Sequence, residues 1–147
     1  MEHIAALKIV LGNTFVMYFK AHAYHWNIEG KNFSEYHGFF GDLYEELHGA
    51  IDPIAEQIRV TGEYAPFSME NLYRMKTIEE DSSRLESPQA MFGTLLAANN
   101  EVIESLNKLF EAADAANEQG LADFAAGRID IHKKHGWMLR SYMKGEQ

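Results

Sequence analysis

"SEYHGFFGDLYEELHGAIDPIAEQI", residues 34–58, is the stretch whose reading decides the fold. Phe40, Leu43, Tyr44, Leu47, Ile51, Ile54 and Ile58 recur at steps of three and four, the period that gathers one face of an α-helix. Ser34 or Asn32 can cap its start, and Glu35 stands in the first turn, where the helix dipole favours an acid. Gly62 marks its end. Pro53 lies inside this pattern. It lacks an N–H and crowds the carbonyl four residues back, which predicts a bend near Gly49 in a helix that nonetheless continues.

On the N-terminal side, Ile4, Leu7, Leu11, Phe15, Tyr18 and His25 follow the same rhythm up to a stop at Asn27–Gly30. On the C-terminal side the pattern fades from Glu63 to Glu86, except for a short helix predicted over "FSMENLYRM", residues 67–75. Ser87 as N-cap and Pro88 at the first helical position open a third long helix, with Phe92, Leu96, Ile103, Leu106 and Phe110 as its stripe. "NEQG" at 117–120 is a turn. A last helix from Leu121 to about Lys144 carries Phe124, Ile131, Met138 and Tyr142.

Four long helices joined by short, long and short links form two antiparallel pairs. A link of about two dozen residues lets the chain travel the length of the bundle, as in ferritin-like folds with one crossover. The predicted class is all-α: a ferritin-like four-helix bundle, one domain over 1–147, whose long crossover between helices two and three contains a short helix.

With 147 residues, 46% hydrophobic and 24% charged, the chain is globular in composition and long enough for a real core. It has no cysteine, which excludes disulfides, thiolate metal sites and Cys nucleophiles. Imidazole and carboxylate remain as strong ligands, a set that suits iron, manganese and zinc. A net charge of −9 disfavours phosphate backbones, so DNA binding is not expected, and the tail "MKGEQ" brings no basic cluster. Glu2 and Lys8 disqualify the first residues as a signal peptide, and no run of 18 uninterrupted apolar residues predicts a membrane span. A cytoplasmic location is expected.

The chemistry is in the histidines and acids. His37 and Asp52 lie 15 positions apart, about 60° apart around a helix axis but about 22 Å apart along it. Glu56 follows Asp52 by one turn. His25 can join His37, because both sit within about a turn of the short hairpin between the first two helices. One chain therefore offers an imidazole pair at one end and a carboxylate pair at the other. Either these residues share no site, or two copies packed antiparallel about a two-fold axis complete it twice by symmetry. A di-iron site inside one bundle would need Glu-x-x-His on two helices. Glu45-x-x-His48 supplies it once, and neither His132 nor His135 has a Glu three residues before it. His22, His48, His132 and His135 are read as surface or packing residues.

"HWNIEGKNFSEYHGFFGDLYEELHGAIDPIAEQI", residues 25–58, resembles the signature of the Dps mini-ferritins, and "LADFAAGRIDIHKKHGWMLRSYM", residues 121–143, is similar to that family's last helix. The resemblance implies a hollow dodecamer that binds Fe(II) at two-fold interfaces, oxidises it with hydrogen peroxide and stores Fe(III) mineral. By position it implies a ferroxidase with His25 and His37 as ligands from one subunit and Asp52 and Glu56 from its mate, with zinc as a possible substitute for iron. Trp26 matches the tryptophan beside the family's site, and reads equally well as a packed aromatic at a helix end. Asp114, Glu118 and Asp123 flank the turn where the resemblance places acidic ion pores; a solvated acidic turn is the alternative.

The sequence departs from the family in places. Gly41 stands where a carboxylate is usual, Gln57 where Arg is common, and the Lys-rich tail that lets some members bind DNA is missing. Two other readings stay open, a DNA-binding nucleoid-architectural protein and a metal-free helical scaffold.

Overall fold

The computed structural model describes residues 1–144, and the last three residues of the "MKGEQ" tail lie outside the described part. Within it the chain forms five helices: α1 (Glu2–Asn27), α2 (Phe33–Val60), α3 (Met69–Met75), α4 (Pro88–Ala115) and α5 (Gln119–Lys144). No strand occurs among the described residues. Helix α1 packs on α2 and α4, α4 packs on α5, and the short α3 lies on α1. Leu7, Leu11 and Met17 of α1 meet Phe40, Leu47, Ile54 and Ile58 of α2, Phe92, Leu95, Leu106 and Leu109 of α4, and Leu139 of α5 in a fully buried core. Each such side chain contributes about 1.5–3 kcal/mol by leaving water.

The punctuation read from sequence sits where local chemistry demands. Helix α1 stops where Ile28 turns to extended backbone, Gly30 (φ 118°) then takes a positive φ in the hairpin, and Gly62 (φ 97°) follows the C-cap of α2 in the same region. Ser87 Oγ accepts from the Ala90 amide at 3.1 Å, with Pro88 in the first turn. Asn32 is the N-cap residue of α2 but makes no side-chain cap; its Nδ2 donates to the Tyr36 hydroxyl at 3.4 Å. Helix α2 runs unbroken through Pro53.

The crossover is pinned along α1 at four levels. Glu63 pairs with Lys8 (3.5 Å). Asn13 Oδ1 accepts from the Thr77 amide (2.7 Å) and the Ile78 amide (3.2 Å), while its Nδ2 donates to Thr77 Oγ1 (2.9 Å). Asp81 receives Lys20 (2.9 Å) and the Tyr24 hydroxyl (2.5 Å). Arg84 reaches Glu29 (3.7 Å). Moving from residue 63 to 84 thus tracks α1 from residue 8 to just past its end at Asn27, about 28 Å of helix. Gly12 permits the closest approach: a Cβ there would fall 2.7 Å from backbone atoms of Met75 and Lys76. Helix α4 therefore begins at the end of the bundle where α2 begins, and the two run parallel. This is the ferritin-like topology the link lengths predict.

Two expectations need correction. Helix α5 begins at Gln119 rather than Leu121, and its buried face is not the Phe124–Ile131–Met138–Tyr142 stripe. Ile131 is 38% exposed, and the inward line is Ala125, Arg128, His132, His135 and Leu139. In α4, Phe92 and Leu106 of the expected stripe are in the core, but Phe110 is outside it (37% exposed), and Leu95, Val102 and Leu109 are buried beside them. Helix α1 is long and apolar enough to cross a membrane by length and composition alone, but 56% of that stretch is buried against the other helices.

Candidate metal centre

The short hairpin between α1 and α2 brings His25 and His37 together. Their rings stack at 3.7 Å with 18° between planes. The two residues are locked reciprocally: His25 Nδ1 lies 2.7 Å from the His37 carbonyl, and His37 Nδ1 lies 2.7 Å from the His25 carbonyl. A carbonyl only accepts, so each Nδ1 must carry its proton and donate. In the neutral ring this leaves the lone pair on Nε2, the arrangement by which a backbone carbonyl fixes the tautomer of a ligating imidazole.

Neighbouring side chains hold this pair in place. Phe33 stacks on His37 at 4.8 Å, and Tyr44 meets His25 edge-on at 5.2 Å. Gly41 faces the His25 ring, so that a Cβ at this position would stand 3.1 Å from Cε1 and 3.2 Å from Nδ1. A residue larger than glycine could be accommodated only if the imidazole shifted by a few tenths of an ångström. Trp26 is 58% exposed; its ring lies 4.2 Å from that of His22 and 6.0 Å from Phe19.

Asp52 and Glu56 are exposed and stay on the distant part of α2, about 22 Å and about 28 Å up the rod from His37. Among the described residues, no group of three or more His, Asp or Glu side chains within one chain could hold a metal ion. Asp114, Glu118 and Asp123 are all exposed around the α4–α5 turn.

A second constellation was not legible beforehand. His132 and His135, read as surface or packing residues, are buried in a polar network centred on Glu46. Arg128 donates to both Glu46 oxygens (2.5 and 3.2 Å), and His135 Nε2 donates to Glu46 Oε1 (2.7 Å). Arg128 also donates to His132 Nε2 at 2.9 Å, which fixes the proton of His132 on Nδ1, facing Asn99 Oδ1 at 2.9 Å. Burial alone would raise the Glu46 pKa; the hydrogen bonds from His135 and Arg128, with the Arg128 charge, outweigh it and hold the carboxyl at about 2. Burial, then the charges of Arg128 and His135, lower His132 to about 3. The acid that turns inward is therefore Glu46, neutralised by a guanidinium, while Glu45 and His48 of the Glu-x-x-His motif point outward. The signal that could have found the network is Arg128, His132 and His135 at i, i+4 and i+7, one polar line down a helix face.

A four-helix bundle with one long crossover, with paired imidazoles at the α1–α2 hairpin, defines the class. The ferritin-like domain family matches residues 4–146, and the chain belongs to it. Within that family its structural neighbours are Dps proteins. The crystal structure of a Dps protein from Bacillus brevis superimposes with a TM-score of 0.90 at 28% identity, covering 96% of this chain and 94% of that one. Dps from Vibrio cholerae, described as a member of a broad superfamily of ferritin-like diiron-carboxylate proteins, gives 0.90 at 26% identity, with coverages of 96% and 88%. In sequence, an uncharacterized low temperature-induced protein of Nostoc is 31% identical over 137 residues, 92% of this chain and 76% of that protein.

Proposed function

We propose that this protein oxidises Fe(II) at sites shared between two subunits, with hydrogen peroxide as oxidant, and stores the Fe(III) as mineral inside a hollow dodecamer in the cytoplasm. The observation that carries the reading is the reciprocal locking of His25 and His37 through Nδ1, in stacked rings, with too few further donors beside them among the described residues. Asp52 and Glu56 of a second copy, laid head-to-tail along α2, supply the missing carboxylates. Two neutral imidazoles and two carboxylates suit iron, the substrate here. Zn(II) would also fit the donor set, but it has no redox chemistry to offer.

The reaction balances as two Fe(II), one hydrogen peroxide and two protons giving two Fe(III) and two water molecules. It consumes both reactants of radical-forming iron chemistry at once. The chain's own contribution is placement. The two carbonyls fix the orientation of the imidazoles through Nδ1–H, and the partner's acids offset the rising charge of the ion as it is oxidised. Asp114, Glu118 and Asp123 give cations an acidic inlet, in keeping with a protein of net charge −9. The same charge weighs against the DNA-binding reading.

A crystal soaked in Fe(II) under anaerobic conditions tests the proposal. Anomalous scattering is expected at the dimer two-fold, within coordination distance of His25 and His37 Nε2 from one subunit and of Asp52 and Glu56 from the other. Iron bound only elsewhere, or none bound, would refute it.

A further inference from the structure

His22 and His48 take no part in the iron site just described, yet they lie on the same α1–α2 face. The Tyr18 ring stands between them, 5.5 Å from the His22 ring and 5.1 Å from His48. His22 lies flat on Tyr44 (3.7 Å, 7° between planes), with Trp26 at 4.2 Å and the Tyr18 hydroxyl 2.8 Å from its Nδ1. His48 is exposed on α2. One ring is thus pre-positioned and the other is free to reach.

The contacts between the two helices set a register. His25 meets His37 and Gly41, His22 meets Tyr44, and Tyr18 meets His48, so α1 descends as α2 ascends. Along α2, His37, Gly41, Tyr44, His48 and Asp52 follow steps of four, three, four and four, which keeps them on one face. If His37 of one copy lies opposite Asp52 and Glu56 of another, a two-fold axis must cross α2 midway, near residues 45 and 46. Tyr44, and with it His22, is about 2 Å along the helix on one side of that level; His48 is about 4 Å away on the other side. Reversal by the two-fold then brings His22 of one copy level with His48 of the next, to within about 2 Å along the rod.

We propose that His22 of one subunit and His48 of a second copy form a separate metal site at the two-fold, between the two iron sites, for a late first-row divalent cation such as Zn(II), Ni(II) or Cu(II). An imidazole-only donor set favours these ions over magnesium, calcium or manganese. In the ligating form His22 Nδ1–H donates to the Tyr18 oxygen and its Nε2 faces the cation, with Tyr18 as the outer partner that orients the ring. Bound metal links two subunits across the axis. The inference rests on the head-to-tail pairing proposed above, and on nothing about iron oxidation itself.

The test uses the full-length assembly carrying His25→Ala and Asp52→Ala, which disables the iron site, with Zn(II) as probe. Equilibrium dialysis is expected to retain a class of tightly bound zinc, and zinc is expected to raise the melting temperature. Adding His48→Gln, an exposed position where the fold tolerates change, should weaken that class at least about tenfold and abolish the melting shift. His22→Gln should do the same. Zinc binding indifferent to both substitutions, or no zinc retained at all, overturns this site. Loss of peroxide-driven Fe(II) oxidation on His25→Ala alongside unchanged zinc binding in His48→Gln would sink this proposal and leave the iron reading standing; the reverse pattern would do the opposite.

Discussion

Replacing His25 and Asp52 together by alanine is expected to slow peroxide-driven Fe(II) oxidation by about 100-fold or more while leaving the helix content intact. Outer-shell partners of a metal site typically cost 10–100-fold when removed, and these two residues are proposed as direct ligands, one for each half of the donor set. His25 is only half-buried and Asp52 is exposed, so neither substitution opens a cavity in the core. The control is far-ultraviolet circular dichroism with the melting temperature, which should stay near the parent values. Oxidation measured at 310 nm with unchanged rates in the double variant would remove the assigned ligands.

Arg128→Ala is expected to have the largest effect on stability, a loss of about 3–5 kcal/mol, because it leaves the Glu46 carboxylate facing His132 and His135 without its guanidinium. The Arg128 side chain is 9% exposed and bridges α2 to α5. Roughly 2–4 °C of melting temperature per kcal/mol applies at this chain length, so a drop on the order of 10 °C is the expected readout.

The same network makes the fold acid-labile, and both titrations carry the same sign. His132 has its pKa lowered in the fold to about 3 from an ordinary 6.5, so between these values the unfolded chain binds the proton that the folded chain refuses. Stability therefore falls as pH drops from about 6.5 to 3. Glu46, held at about 2 against an ordinary 4.5, contributes stability above 4.5 that is lost as pH falls toward 2. Urea midpoints should decline steadily from pH 7 to pH 4 in the parent, and the slope should flatten in Arg128→Ala. A parent equally stable at pH 4 and pH 7 would contradict this.

The bundle was legible in the sequence because its signals are local. Ser87–Pro88 starts a helix by capping chemistry, Gly62 follows the end of another in a backbone conformation other residues avoid, and the length of the link from Gly62 to Ser87 dictates a crossover. The His25–His37 pair was legible for the same reason: a short hairpin leaves two neighbouring helix ends little choice but to meet. What escaped reading depends on partners far along the chain. Asn13 holds Thr77, and Lys20 holds Asp81, across more than sixty residues. On α5 an apolar count selected Ile131 and Phe124, although the inward face carries Arg128, His132 and His135. Those polar groups are tolerable in the interior because Glu46, on another helix, satisfies them. Counting apolar residues along one helix cannot register an acid supplied by a different one.

The central claim, that each iron site is built from two subunits, is tested most directly by mixing. Subunits carrying only His25→Ala and subunits carrying only Asp52→Ala are each expected to be nearly inactive as pure assemblies. Unfolded together in equal amounts and refolded, they should recover about one quarter of the parent rate, since one site in four then draws its histidines from an Asp52→Ala subunit and its acids from a His25→Ala subunit. If the co-assembled mixture stays as inactive as its two components, histidines and carboxylates do not meet across the two-fold, and the shared site is wrong.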